Sequence, residues 1–306
     1  MNTRRFALVD AFTETPLSGN AAGVVPDGSG LSDEQMQAIA RELSVSETAF
    51  LFPSEDADRK IRYFTPTQEV DLCGHATVAT HALLATDDTI ETGTQSLETN
   101  VGVLSVEITA SGMVWMTQAE PSVTAVSIDY EALAAALGIE QAALTDVGEE
   151  LPIARASTGL PFLMVPVSFL QPLGNADPDM DAIASLSTEH DVAGVYAFTF
   201  DTLDAASTLH ARMFAPASGV PEDPVTGTAS GACGAYLEWY GALDSFVDPL
   251  QFEQGHFINR GGHAHVDVQT DETTGLTTVR VGGHAVTAAD GTLTIPDMSE
   301  DEIIEA

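Results

Sequence analysis

The sequence predicts an α+β fold of two pseudo-symmetric lobes, each a β-barrel-like sheet around a central α-helix. Three observations predict it. Residues 64–86, FTPTQEVDLCGHATVATHALLAT, and residues 214–241, FAPASGVPEDPVTGTASGACGAYLEWYG, share one grammar about 150 positions apart: strand end, polar loop, Gly, Ala-rich helix. Each of these helices is apolar enough to be largely buried. Several short strand-like runs surround each helix, and a curved sheet or barrel wrapped around it satisfies that pattern.

The elements follow in order. Phe6–Phe12 alternates, and Pro16–Asn20 turns the chain into a second apolar run, Ala21–Val25. Ser32-Asp33-Glu34-Gln35 has the capping-box pattern and opens a helix to about Leu43. Strands at 48–52 and 61–65 precede the first Ala-rich helix, and 96–98, 101–109 and 112–116 read as a meander. A helix starts at Asp129 and runs to about Leu137. The second half restarts at 156–167 as strand–turn–strand around Gly159-Leu160-Pro161. A helix at 179–186 and strands at 192–200 and 208–214 lead to the second Ala-rich helix. Short strands at 250–254, 263–269, 277–281, 284–287 and 292–295 complete it. Gln118–Ser122 breaks the strand pattern, which divides the chain into lobes 1–118 and 119–296 with an acidic tail, 297–306.

Composition excludes several classes of function. The 306 residues hold 46 acidic and 10 basic side chains, a formal net charge of −36, yet 44% are hydrophobic. A folded protein with an acidic shell fits that balance, as expected of a halophilic cytoplasm where high ionic strength screens self-repulsion. Such a surface repels nucleic acid and anionic membranes, which bind through Lys and Arg. No run approaches the ~20 apolar residues of a membrane span, and none at the start reads as a signal peptide, so the expectation is a cytoplasmic protein. Two cysteines, Cys73 and Cys233, exclude a disulfide scaffold and a four-thiolate metal site.

The two helix starts are the first candidates for chemistry. Unpaired N–H groups and the positive dipole end of a helix suit a carboxylate or phosphate. Gly74 and Gly227, each followed by a small or polar residue, let bare backbone approach a ligand. Two such starts in two related halves suggest one small anionic substrate held in a cleft between lobes. Glu47 stands where the polar stretch from Ser44 enters an apolar strand, and a partly desolvated carboxylate there suits proton transfer. His75, on the first turn of the first helix, reads equally as a proton-handling imidazole or as a core or capping histidine. Asp223, between Pro221 and Pro224, reads as a turn former unless the repeat gives it a role. Cys73 precedes the Gly-His step, but its counterpart before Gly227 is Thr226, so a symmetric two-cysteine mechanism is unavailable; Cys233 reads as packing. His263 and His265 share a strand face, but no further ligand set accompanies them, so no metal is expected.

Taken together, Val9-Asp10-Ala11-Phe12, Ser18-Gly19-Asn20, Ser46-Glu47-Thr48, Phe64-Thr65-Pro66, Gly74-His75-Ala76-Thr77 and Glu222-Asp223-Pro224-Val225-Thr226-Gly227 resemble the PhzF-like phenazine-biosynthesis isomerase family. The ordered match runs from about residue 6 to Gly255. The resemblance implies a diaminopimelate-epimerase-like fold, proton transfer with no cofactor, and a homodimer. It implies Glu47 as general base then acid, with His75 and Asp223 positioning substrate or assisting proton movement. The amides of Gly74 and His75, and of Gly227 and Thr228, would hold the substrate carboxylate or developing negative charge, with Asn20 as a further substrate contact. Two features depart from the family pattern. Thr228 stands where Ser is expected, and 256–265, HFINRGGHAH, replaces a Gly-Arg-Pro-Ser ending. The reading is a cofactor-independent isomerase moving a proton within a small carboxylate. Its alternatives are an amino-acid racemase or epimerase on the same fold and a non-enzymatic anion- or protein-binding module.

Overall fold

The computed structural model describes residues 2–147, 151–242, 249–271 and 273–296. They form two compact units: 2–17, 21–114 and 284–296 in the first, and 18–20 with 115–283 in the second. In the first unit, β1 (Asn2–Ala11) pairs antiparallel with the chain's last strand, Asn2 opposite Ile295 and Ala11 opposite Ala285. β1 also pairs with β2 (Asn20–Val25), which runs parallel to β3 (Glu47–Phe52) with Ala22 opposite Glu47. β4 (Arg59–Phe64) is antiparallel to β3 and to the short β5 (Glu69–Val70), and parallel to β6 (Gly93–Thr99). β7 (Gly102–Ile108) closes the series antiparallel to β6.

Helix α1 (Asp33–Leu43) connects β2 to β3 and starts as its capping box dictates. The Gln35 amide N–H donates to Ser32 Oγ at 3.3 Å, and the Ser32 N–H donates to Gln35 Oε1 at 3.0 Å. Its apolar face, Met36, Ile39 and Ala40, packs with Val25, Phe50, Phe64 and Ile295. Ser32→Ala therefore removes one side of a reciprocal cap. It is expected to cost about 1 kcal/mol, read as a lower urea midpoint at unchanged m-value. Helix α2 (Gly74–Thr86) has no polar face to protect: every residue from Ala76 to Leu84 is buried, as its composition requires.

In the second unit, β8 (Val114–Thr117) pairs with β17, and β9 (Ser122–Ala125) runs antiparallel to β10. Helices α3 (Tyr130–Leu137) and α4 (Ala142–Thr145) lie between β9 and β10 (Ala154–Ser157) in sequence. β11 (Pro161–Pro166) is antiparallel to β10, and the chain passes through α5 (Leu170–Gly174) and α6 (Met180–Glu189) to β12 (Gly194–Thr199), parallel to β11. β13 (Leu209–Ala215) is antiparallel to β12 and to β14 (Val220–Asp223). After α7 (Gly227–Tyr240), β15 (Leu250–Gln254) runs parallel to β13 and antiparallel to β16 (Gly262–Thr270), which pairs with β17 (Thr277–Gly283). The last strand is β18 (Ala285–Ile295).

The duplication is now explicit. The step β2–β3–β4–β5–β6–β7 has the same pairing senses as β11–β12–β13–β14–β15–β16. Arg62 on β4 forks onto Glu69 on β5 (2.8 and 2.6 Å), while Arg212 on β13 forks onto Glu222 on β14 (2.9 and 2.8 Å). Each guanidinium also lies over the Phe two residues on, 5.2 Å from the Phe64 ring centre and 4.9 Å from that of Phe214. In α2, Thr77 Oγ1 donates to the Cys73 carbonyl at 2.7 Å; in α7, Ser230 Oγ donates to the Thr226 carbonyl at 2.9 Å.

Two expectations are corrected. The runs 284–287 and 292–295 are one strand, β18, and it belongs with the first unit because it hydrogen-bonds along all of β1. The change of unit falls between Val114 and Trp115, rather than after residue 118, and 284–296 leaves the second unit. The break expected at Gln118–Ser122 is present: β8 ends at Thr117 and β9 starts at Ser122, where it finds a partner in β10. The tail 297–306 lies outside the described residues.

Candidate active site

Each unit carries a cluster at the start of its buried helix. In the first, β3 begins at Glu47, and its side chain, 22% exposed, lies with Oε2 3.4 Å from His75 Nε2. His75 is one residue past the start of α2, so the strand supplies the carboxylate and the helix turn supplies the imidazole. Ser46 Oγ is 3.2 Å from the same ring nitrogen, and Cys73 Sγ lies 3.4 Å from His75 Nδ1. Both ring nitrogens are thus engaged, one by a carboxylate and a hydroxyl, the other by a thiol. Cys73 is the N-cap residue of α2 and makes no side-chain capping bond, so the cap leaves the first amides of the helix unserved by its side chain.

Gly74 is informative because nothing crowds it. A Cβ built there meets no atom within 4 Å. The glycines inside α7 are different: a Cβ at Gly231 would come to 2.8 Å from Val281, and one at Gly234 to 2.6 Å from Val266. Those two permit close packing on the sheet. At Gly74 the space beside the backbone is open instead.

In the second unit, Asp223 ends β14 and receives two side chains. Asn20 Nδ2 donates to its Oδ1 at 2.9 Å, and Thr226 Oγ1 donates to its Oδ2. Gln254 completes the knot: its Nε2 donates to the Asp223 carbonyl at 2.7 Å and to Thr226 Oγ1 at 3.1 Å, while its Oε1 accepts from the Thr226 N–H at 3.1 Å. Asn20 is buried and also donates to the Val225 carbonyl at 2.9 Å. Both hydrogens of its amide nitrogen are therefore spent on the Asp223 turn. Gly227 and Thr228 open α7, whose N-cap Thr226 makes no capping bond to the helix because its hydroxyl goes to Asp223. The Thr228 carbonyl accepts from Thr158 Oγ1 at 3.3 Å.

The expected residues thus fall into two groups, Glu47 with His75 and Gly74, and Asp223 with Asn20, Gly227 and Thr228. Ser46, Cys73, Thr226 and Gln254 join them. Ser46 and Thr226 were legible as polar neighbours of their motifs; Gln254 carries no local signal, since it reaches the turn only through the parallel pairing of β15 with β13. Cys233 is buried in α7, where burial pushes its thiol well up, as a packing residue requires. His81, buried in α2 with Nδ1 2.8 Å from the Thr77 carbonyl, is held down to about 4 by that burial and is a core histidine. Among the described residues, two trios have ligand atoms within 4.8 Å of one another: Glu47, Cys73 and His75, and, elsewhere, His210, Glu253 and His256.

Chemically, the Glu47 cluster is a carboxylate beside an imidazole at a helix start that has no side-chain cap. That is the equipment for taking a proton from carbon and holding an anion while it moves. Among the described residues, no helix is long and apolar enough to cross a membrane.

Comparison with known proteins gives the family. The phenazine biosynthesis-like protein family, PhzC-PhzF, matches residues 9–291. The uncharacterized isomerase YfhB of Bacillus subtilis is 40% identical over 282 residues, 90% of this chain and 94% of that protein. Trans-2,3-dihydro-3-hydroxyanthranilate isomerase of Pseudomonas chlororaphis is 33% identical over 297 residues, 95% of this chain and 99% of that one. The crystal structure of the Bacillus anthracis phenazine biosynthesis protein of the PhzF family superposes with a TM-score of 0.89 at 34% identity, covering 96% of this chain and 100% of that one. A hydroxyproline epimerase from Agrobacterium vitis has the same fold, with a TM-score of 0.61 at 15% identity, covering 96% of this chain and 91% of that one. The fold is thus the diaminopimelate-epimerase-like one, and the chain belongs to the PhzF phenazine biosynthesis-like family of isomerases.

Proposed function

We propose that this isomerase moves a proton within a small carboxylate-bearing substrate without a cofactor, with Glu47 as the shuttle. The observation that carries the reading is the Glu47–His75 contact of 3.4 Å at the start of α2, beside the open face of Gly74. In the proposed step, a Glu47 carboxylate oxygen takes a proton from a carbon next to an unsaturated group. The electron pair left behind delocalises through that group, and Glu47 returns the proton to a different carbon. Atoms and charge balance, so the product is an isomer. The Gly74 and His75 amides receive the substrate carboxylate or the charge that develops, and His75 keeps the Glu47 carboxylate aimed. Asp223, Gly227 and Thr228 are assigned to the same reaction on the strength of the repeat, with Asn20, Thr226 and Gln254 as positioning residues for Asp223. The relative named for dihydro-hydroxyanthranilate makes that compound the first substrate to try.

The test is proton NMR in D₂O with a panel of dihydro-hydroxyanthranilate, diaminopimelate and several amino acids. Deuterium entering at carbon together with a new isomer supports the reading. Deuterium entering at a stereocentre with loss of optical rotation would select racemisation instead, for which the second helix start offers Thr226 in place of a thiol. Silence across the panel from folded protein would favour a binding role. Gly74→Ala sharpens the assignment of the amides. Since its methyl meets no atom of the protein, the variant is expected to be at least as stable as the parent in urea, while kcat/KM falls about 10-fold or more because the methyl occupies the anion's approach. Unchanged kcat/KM in that variant would remove the Gly74 amide from the site.

A further inference from the structure

The two trios with converging ligand atoms are spaced for different work. Two ligands of one tetrahedral zinc-like ion stand about 3.3–3.6 Å apart, given bonds of about 2.0–2.1 Å to nitrogen or oxygen and about 2.3 Å to sulfur. His210 Nδ1 on β13 and Glu253 Oε2 on β15 are only 2.7 Å apart, a hydrogen-bond distance. Glu253 also accepts from the backbone N–H groups of Leu203 (3.1 Å) and Asp204 (2.7 Å). That pair is closed on itself, and its carboxylate is already spent.

The trio of Glu47, Cys73 and His75 is wider. His75 Nε2 lies 3.4 Å from Glu47 Oε2 and 4.0 Å from Cys73 Sγ, and the three ligand atoms are within 4.8 Å of one another. The nitrogen–oxygen edge already has tetrahedral length, and the sulfur–nitrogen edge exceeds it by about 0.4 Å. Cys73 is buried and its side chain makes no capping bond to α2, so no helix contact is given up when the sulfur moves. Ser46 Oγ, 3.2 Å from the same nitrogen, is the contact that an ion displaces. Glu47 and His75 keep 22% and 11% of their side chains exposed, and the space beside Gly74 is open, which leaves a way in. In sequence Glu47 stands far from the Cys-Gly-His step; the fold sets the head of β3 against the head of α2 and so completes a three-donor set.

We propose that Cys73, His75 and Glu47 bind one divalent ion of the zinc class, with the fourth position left to water. As the metal–sulfur bond forms, the S–H bond of Cys73 breaks and its proton passes to solvent; no electron is transferred. The thiolate and the carboxylate then balance the charge of the ion. A sulfur donor with an imidazole selects zinc, cobalt or cadmium over magnesium and calcium, which require oxygen ligands. The ion is an inhibitor of the site, and this part rests on the proton-transfer reading above. It occupies the Glu47 oxygen that receives the proton and the His75 nitrogen that aims it, so metal binding and turnover exclude one another.

The experiment is cobalt titration of the full chain, stripped by chelator and kept reduced, with excess Mg²⁺ to occupy the acidic surface. Saturable visible absorption at one equivalent, with a near-ultraviolet thiolate-to-cobalt charge-transfer band and displacement by Zn²⁺, is the expected result. Cys73→Ser should abolish the charge-transfer band, and Cys73→Ser and His75→Asn should each weaken cobalt binding about 10-fold or more, with Tm showing that both variants fold. Cys233→Ala and His256→Asn, which remove the other thiol and a member of the other trio, should leave band and affinity intact. Absorption that fails to saturate, lacks the charge-transfer band, survives Cys73→Ser at full strength or vanishes with Cys233→Ala or His256→Asn overturns the site, as does no absorption at millimolar cobalt. In the NMR assay, deuterium incorporation should stop at one equivalent of Zn²⁺ and return with chelator; incorporation that continues in saturated protein overturns the inhibition. The spectra need no substrate, so the two readings fail separately: a silent substrate panel leaves the metal site standing, and absent bands leave Glu47 as the shuttle.

Discussion

Glu47→Gln is expected to lower kcat by about 10²–10⁴-fold, the range that a positioned proton-transfer group supplies, while leaving substrate affinity within a few-fold and the unfolding midpoint nearly unchanged. The amide keeps the size of the carboxyl and its place at the head of β3, 3.4 Å from His75 in the parent side chain. What it loses is the ability to accept a proton at the pH of the assay. The measurement is solvent-deuterium incorporation under single-turnover conditions, with wild type and variant compared at equal saturation. Loss of kcat without loss of binding places Glu47 in the proton-transfer step rather than in ground-state binding. Glu47→Asp gives a second reading: it restores a carboxylate but withdraws it by one methylene, so it should recover part of the activity if geometry is limiting. His75→Asn should also reduce kcat, by less, because it removes the group that aims the carboxylate rather than the carboxylate itself. Full activity in Glu47→Gln would falsify the shuttle and move attention to Cys73, whose sulfur lies 3.4 Å from the same imidazole.

Much of the fold was legible because it was written twice. The Phe-x-Pro at the end of β4 and of β13, the polar loop after each, and the Gly before each Ala-rich helix are local patterns, and local patterns survive in a linear reading. What was missed depended on partners far away in sequence. β18 was read as two short strands because Asp290-Gly291 resembles a turn. In the structure Gly291 is the point where the strand passes Phe6, and a Cβ there would come to 2.8 Å from that ring. β14 was passed over because Pro221 and Pro224 discourage a central strand, yet a short strand paired on one side tolerates them. The site divides the same way. Glu47 and His75, named from their motifs, lie 3.4 Å apart. That Asn20 donates to Asp223, 203 residues later, has no local signal in the sequence. The His210–Glu253 pair was invisible for the same reason, since β13 and β15 are joined only by the parallel ladder.

The duplication also allows one device to be compared at two depths, and the comparison predicts the largest stability effect in the molecule. Arg212 is almost fully buried. It forks onto Glu222, donates from Nη1 to the carbonyls of Leu173 (3.1 Å) and Ala176 (2.9 Å), and lies over the rings of Phe214 and Phe257. Arg62 makes the matching fork onto Glu69, but its side chain is 20% exposed and its other partner, Asp33, is 72% exposed. Removing one member of a buried pair leaves the other charge uncompensated, whereas a wet pair is replaced by water. Arg212→Met is therefore expected to cost about 3–5 kcal/mol, and Arg62→Met about 1 kcal/mol, in urea unfolding. The double variant Arg212→Met/Glu222→Leu should regain part of the loss, since no buried carboxylate remains unpaired. The two Leu173 and Ala176 carbonyls still lack their donor, so the recovery is incomplete. The Arg212 variants should also lose activity at temperatures where they stay folded, because Glu222 adjoins Asp223 on β14 and the fork fixes that strand to β13. Equal costs for Arg62→Met and Arg212→Met would show that burial does not set the strength of these forks, and that the strand pairing alone holds β14 in place.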